Sequence, residues 1–347
     1  MSNLLSDSLK LYYGRMLKSF LKHYFELPEE TKNIVCLGGG IGTAQVLKGL
    51  KEPQYEVSAI VSMADDGGSA GRLRRAFSVL PPGDLVNCLA ALSDEESVIK
   101  QLFLYRFKGK RYGKDTDLGG QKLGNLIFVA LSDIYKGDTN RALVEFSKII
   151  SSHGQVLPAT LGDVNIWAKT QDGKKVLGEQ NIDLGNYKTQ SLKSVYLDPP
   201  DVKAYEPSLK AIKNAELIIV GPGDLFSTVL PAVIVPHIKK ALVASTAKKI
   251  FIVNVANKPY ETHNFKVSDY LETVKQHIGA DIFDKILVNT NDTIKLPPRL
   301  KYSYVKIDWE NLSKSKDKII TRDFVDINFP TYHDSAKIAA ILKNLEI

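Results

Sequence analysis

Cysteine, methionine and tryptophan are scarce in this chain, with 2, 3 and 2 copies among 347 residues. Cys36 and Cys88 cannot make a disulfide scaffold and lack metal-ligand spacing, so a reducing compartment, the cytoplasm, is expected. No stretch approaches the roughly 18 uninterrupted apolar residues of a membrane-spanning helix. The N-terminus also lacks an apolar core followed by a small-residue cleavage site. Neither a membrane span nor secretion is expected. The six histidines, His23, His153, His237, His263, His277 and His333, form no ligand pair at i, i+4. With no G-x-S-x-G elbow and no Cys/His nucleophile pattern, hydrolytic triad chemistry is disfavoured. Charge of one sign is not concentrated either. The net charge of +7 is mostly scattered lysine, with local groupings at Arg72, Arg74 and Arg75 and at Lys108, Lys110, Arg111 and Lys114. Without a stripe of interleaved aromatic and basic residues, anionic small molecules fit better than nucleic acid.

What is present is an ordinary globular composition, 44% hydrophobic, on a chain long enough to bury a large core. Leu4, Leu5, Leu9, Tyr12, Tyr13, Met16, Phe20, Leu21 and Phe25 recur near a helical period, so residues 1–30 read as an amphipathic N-terminal extension closed by Leu27-Pro28. Beyond it, short β-branched runs alternate with helical stretches: Asn33–Leu37, Val57–Val61, Leu217–Val220, Ile250–Val255 and Ile286–Val288. Runs that are polar on neither face suit parallel strands covered by helices on both sides. The fold class expected is α/β, a doubly wound, mostly parallel sheet forming one body over residues 31–347. Val156–Thr160, Asn165–Lys169 and Val195–Leu197, with turns such as Asp172-Gly173, predict a β-rich insertion over about residues 153–200.

Chemistry-bearing residues stand at the ends of these strands. The first strand runs into Gly38-Gly39-Gly40-Ile41-Gly42-Thr43, followed by a helix-compatible stretch. Glycines there let backbone approach a phosphate, while unpaired N–H groups and the helix dipole receive its charge. The spacing is neither a clean G-x-G-x-x-G nor a P-loop, and a turn needed only for strand–helix packing would look similar. The second strand ends in Asp65-Asp66-Gly67-Gly68-Ser69, with Arg72 shortly after. An acid at this place takes ribose hydroxyls in dinucleotide folds. Two acids could instead hold a divalent cation such as Mg²⁺, while Gly67-Gly68-Ser69 forms a second anion nest and Arg72 a phosphate contact. The bland reading is a helix cap with solvated arginine.

Further along, Pro81-Pro82-Gly83-Asp84 stiffens an approach to a helix that Asp84 can cap, with Asn87 one turn on. Asn125 opens another helix, and a third glycine loop, Gly221-Pro222-Gly223-Asp224, follows the strand Leu217–Val220. Asn254 and Lys258 follow a later strand. Strand ends of a doubly wound sheet gather on one edge, so these loops can converge.

The ordered blocks GGGIGT, SMADDGGSAGRLR, LPPGDLVNCLAAL, LGNLIFVAL, HGQVLPAT, VGPGDLFSTVLP and NVANKPYET resemble the YvcK-like gluconeogenesis factors. These are relatives of the 2-phospho-L-lactate transferase of deazaflavin cofactor synthesis. The resemblance runs from about Asn33 into the C-terminal third. It implies a Rossmann-like fold in a cytoplasmic bacterial protein that binds a nucleotide sugar such as UDP-N-acetylglucosamine. Such a protein regulates cell shape and envelope-precursor supply during growth on gluconeogenic carbon. The alternative is a Mg²⁺-dependent transferase that moves a phospholactyl group from a nucleotide diphosphate donor to a deazaflavin; the chain gives no clear aromatic platform for that ring, although Tyr260 and Phe226 could contribute. A nicotinamide-dependent dehydrogenase is a third reading, by analogy of fold alone. The chain departs from the family pattern at Ile41, at Val86 in place of an arginine and at Gln121 in place of a histidine. A homo-oligomer and a regulated protein partner, met through the N-terminal helix or the Lys108–Lys114 loop, complete the expectations.

Overall fold

The computed structural model describes residues 31–94, 97–109, 118–187 and 191–345. The expected N-terminal helix and most of the Lys108–Lys114 loop lie outside the described residues.

Seven strands form the main sheet: β1 (Lys32–Gly38), β2 (Tyr55–Val61), β3 (Gln155–Pro158), β7 (Leu217–Val220), β8 (Lys248–Ile252), β10 (Lys285–Asn289) and β12 (Ile319–Arg322). Their order is β12-β10-β8-β7-β1-β2-β3, and every neighbouring pair is parallel. Ile34, Val35, Cys36 and Leu37 of β1 and all four residues of β7 are essentially inaccessible, because helices cover both faces. Burial of each such aliphatic side chain contributes roughly 1.5–3 kcal/mol, which is why these strands read as unbroken apolar runs.

Two strands differ from expectation. The strand at Val156–Thr160 is β3, the edge of the main sheet paired with β2 from Ser58↔Gln155 to Val61↔Pro158, and not part of the insertion. β12, at the opposite edge, was not expected; its residues are only half-buried, so no apolar run announces it. The insertion proper lies between β3 and Glu206. It is a three-stranded antiparallel sheet, β5 (Lys175–Leu177), β4 (Asn165–Thr170) and β6 (Leu192–Asp198) in that order, with a short helix between β5 and β6. A two-stranded ribbon pairs β9 (Ala256–Asn257) with β11 (Ser303–Tyr304).

The helices that concern the site are α1 (Gly40–Gly49), α2 (Gly68–Phe77), α3 (Gly83–Leu92), α4 (Val98–Leu104), α5 (Leu123–Ile134), α6 (Thr139–Ile149) and α7 (Glu179–Leu184). From β1 the chain winds outward through β2 to β3. It then returns to β7 on the other side of β1 and winds outward through β8 and β10 to β12. The winding therefore reverses between β1 and β7, which opens a crevice at the carboxyl ends of those two strands. No single helix among the described residues is long and apolar enough to cross a membrane.

Candidate functional site

At that reversal lies a cleft of about 440 Å³, within the roughly 300–1,000 Å³ of small-molecule sites. Its floor is the β1–α1 loop. Gly40 adopts a left-handed φ of 63°, and a Cβ there would meet open space, so glycine is held by backbone conformation alone. At Gly42 the reason is contact. A Cβ would lie 2.7 Å from the Pro222 carbonyl oxygen and 3.0 Å from the Gly223 nitrogen, so the first and third glycine loops pack backbone to backbone. Gly42→Ala is expected to pry these loops apart at a cost of about 1–3 kcal/mol, measurable by denaturant unfolding, with ligand affinity reduced at least about tenfold.

The loop is less open to an anion than its sequence suggests. The Gly39 N–H donates to Thr43 Oγ1 (2.8 Å), and that hydroxyl donates to the Pro222 carbonyl (3.1 Å). Thr43 is thus a buried brace, and neither it nor Gly38 lines the cleft. The Gly40 N–H donates to the carboxylate of Asp84. Asp84 is therefore not the cap of α3; that place is taken by Pro82, with no side-chain bond. The Asp84 side chain reaches over the glycine loop, and burial, the neighbouring Asp65 and Asp224 push its pKa up to about 7 against the pull of Gly40 N–H and Lys122.

The consecutive acids after β2 diverge. Asp65 lines the cleft and accepts from Gly67 N–H at 2.9 Å. Asp66 turns the other way and accepts from Gln180 N–H at 2.8 Å, fixing the insertion. They do not form a shared Mg²⁺ site, and no group of three or more His, Cys, Asp or Glu suited to a metal occurs among the described residues. Gly67 and Ser69 line the cleft, while Gly68 and Arg72 do not; Arg72 donates to the Gly119 carbonyl at 2.7 Å. Besides Lys258, the cations among the described residues that reach the cleft are Arg106, which donates to Ser69 Oγ (3.2 Å) and the Gly120 carbonyl (2.6 Å), and Lys122, which donates to Asn87 Oδ1. Neither was anticipated, since neither sits in a glycine loop.

Asn87 and Asn125 both line the cleft, and Asn125 is 1% exposed with its Oδ1 unpartnered among the described residues. Val86, on the same helix as Asn87, is wholly buried; a Cβ on Gly124 would lie 2.9 Å from its Cγ1. Gln121 is buried beside this wall, outside the lining. On the third loop, Gly223 and Asp224 line the cleft and Gly221 does not. Asn254 clamps Gly223, accepting from its N–H at 3.1 Å and donating to its carbonyl at 2.9 Å. Lys258 is not a free cation. Its ammonium pairs with Asp224 (2.6 Å) and with Asp183 of α7. Burial would lower its pKa, but Asp224, Asp183 and Glu261 override this and hold it well above the lysine range. Glu261 accepts from Phe226 N–H (2.9 Å) and Ser227 N–H (2.6 Å); burial and Asp224 push it up to about 8.

Neither ring named as a possible contributor to an aromatic platform reaches the cleft. Phe226 is core, and Tyr260 packs over Gly185 outside the cleft. Tyr302 and Tyr332 are the rings that line it, with His333 beneath. His333 Nε2–H donates to the Val253 carbonyl (3.1 Å), and burial lowers its pKa to about 4, so it is neutral. The assembled cleft thus offers a glycine-loop floor, two aromatic rings, three cations and a surplus of carboxylates, Asp65, Asp84, Glu179, Asp183 and Asp224.

The model of the family described as 2-phospho-L-lactate transferase CofD matches residues 34–325. The chain is 38% identical over 321 residues to the gluconeogenesis factor of Bacillus subtilis (strain 168), covering 90% of this chain and 97% of that protein. It is 40% identical over 267 residues to the gluconeogenesis factor of Halalkalibacterium halodurans, covering 76% and 80%. A crystal structure of a UPF0052 family member from Bacillus halodurans superposes with a TM-score of 0.82 at 36% identity, covering 90% of this chain and 99% of that one. The all-parallel sheet, the glycine loops at its reversal point and these similarities lead to one assignment: the chain belongs to the CofD family, among the YvcK-like gluconeogenesis factors.

Proposed function

We propose that this protein is a cytoplasmic receptor for a nucleotide sugar of the UDP-N-acetylglucosamine type. In this reading it acts as a regulator of cell shape and envelope-precursor supply during growth on gluconeogenic carbon. The observation that carries the reading is the backbone-to-backbone packing of the β1 and β7 glycine loops at the reversal point, on the floor of a nucleotide-sized cleft. A diphosphate there meets the first turn of α1 and the cations Arg106 and Lys122, while Tyr302 and Tyr332 offer faces to a base or sugar.

Isothermal titration against UDP-N-acetylglucosamine, UDP-glucose and NAD(H) tests it. Saturable binding of the UDP-sugars with the ligand recovered intact is expected, and at about 100 times its dissociation constant the ligand should stabilise the protein by about 2.7 kcal/mol. Preference for NAD(H) would count against it. A second reading, a phospholactyl-type transferase, is favoured by one feature: Asp65 and Asp84 both line the cleft, close enough for Asp65 to raise the pKa of Asp84. Two carboxylates plus substrate phosphates are a common Mg²⁺ arrangement. Mg²⁺-dependent consumption of a nucleotide-linked donor would establish that reading, and metal-independent binding without turnover would retire it.

A further inference from the structure

Among the described residues the insertion enters the cleft through α7 alone, and the side chains it supplies there, Glu179 and Asp183, are both carboxylates. Asp183 is committed to Lys258. Glu179 is not committed: among the described residues no hydrogen-bond donor reaches its carboxylate. Burial and the neighbouring Asp65, Asp183 and Asp66 push its pKa well above the usual carboxylate range, against Lys258.

Its position is nevertheless built. Asp66 Oδ1 takes the N–H of Gln180, the next residue, at 2.8 Å. Gly178, with φ of 83°, lets the chain pass so close that a Cβ would lie 2.5 Å from Asp66 Oδ2. Glu179 is thereby held beside Gly67, whose own Cβ position is 3.1 Å from Glu179 Oε2. Ser227 lines the same cleft. Ser227, 3% exposed, lies on the π-helical turn that packs against α7, and its hydroxyl has no partner.

An acceptor without a donor and a hydroxyl without a partner, both lining one cleft, suit a hydrogen-bonding ligand group. A phosphate does not fit there, since Asp65 and Asp183 would face it with like charge. A neutral group rich in O–H or N–H donors does. We infer that Glu179 is a specificity-determining residue that accepts hydrogen bonds from the hydroxyl or amide donors of the ligand's sugar, with Ser227 beside it, and that Asp66 is the positioning residue that holds it there. This rests on the nucleotide-sugar reading above, and it makes the insertion the part of the fold that tells a nucleotide sugar from the bare nucleotide.

The test is the ratio of affinities for UDP-N-acetylglucosamine and UDP, measured by titration calorimetry on the full chain. Glu179→Ala should lower that ratio at least tenfold. Glu179→Gln, which keeps an acceptor oxygen, should lower it less. Asp66→Ala should reproduce the loss, and Asp66→Asn, which can still accept from Gln180, should restore the ratio. Thermal melts report whether each variant is folded, and the glutamine and asparagine variants guard against loss of the alanine ones. An unchanged ratio in Glu179→Ala, or equal weakening of both ligands, would overturn the inference. If the unaltered protein binds neither ligand, the nucleotide-sugar reading itself falls and the inference with it.

Discussion

Replacing Lys258 with methionine, which keeps the apolar stem and removes only the charge, is expected to destabilise the protein by about 3 kcal/mol at pH 8. The ammonium is the shared partner of Asp183 and Asp224 and lies among the groups that surround Glu261. Without it Asp183 and Asp224 lose their counter-charge in a partly buried space, and Glu261, already raised to about 8 with the ammonium present, is pushed higher still. Acidification can neutralise them, so the deficit should shrink as pH falls from 8 to 5. Denaturant melts at the two pH values check this, and a deficit independent of pH would refute the electrostatic account. An exposed pair gives the contrast. Lys306 and Asp292 lie 2.6 Å apart, but their side chains are 67% and 47% exposed, so Lys306→Met should fall within about 0.5 kcal/mol of the parent.

The opposite sign is expected at Asp84. Its pKa of about 7 in the folded protein lies above the ordinary 3.8, so the folded state holds a proton that the unfolded chain releases between those values. Stability therefore declines as pH rises through that window and levels off above 7. The full shift corresponds to roughly 4 kcal/mol. Water in the open cleft screens part of it, so Asp84→Asn is expected to gain on the order of 2 kcal/mol above pH 7 and nothing near pH 4. Asparagine can still accept the Gly40 N–H. A carboxylate kept at such a cost beside a glycine loop is the signature of a residue retained for function, so the stabilised variant should bind its ligand less well. Unfolding curves from pH 4 to 9 decide the stability claim, since an equal effect at all pH values would exclude it.

How much of this was legible beforehand differs by residue. β1, β2, β7 and β10 were readable because strands buried on both faces have no polar alternation. The glycine loops were readable because their backbone demands are local, as Gly40 and Gly42 show. Sheet membership of β3 was not readable, since its partner β2 lies about a hundred residues away and its composition suits either sheet. Asp65 and Asp66 looked equivalent side by side. On non-helical backbone, successive side chains point to different sides, and one entered the cleft while the other anchored α7.

The residues that give the cleft its electrostatic character were the least visible. Glu179, Asp183, Arg106, Tyr302 and Tyr332 come from segments without a motif, and Lys122 only adjoins one. The sequence alone determined the parallel sheet, the glycine turns at its strand ends and the family, because hydrophobic patterning and glycine placement are properties of neighbouring residues. Only the tertiary structure decided which acid faces the ligand cleft, which lysine is already neutralised and which carboxyl is left without a donor. Those properties depend on groups brought together from remote parts of the chain, where burial and pairing set charge.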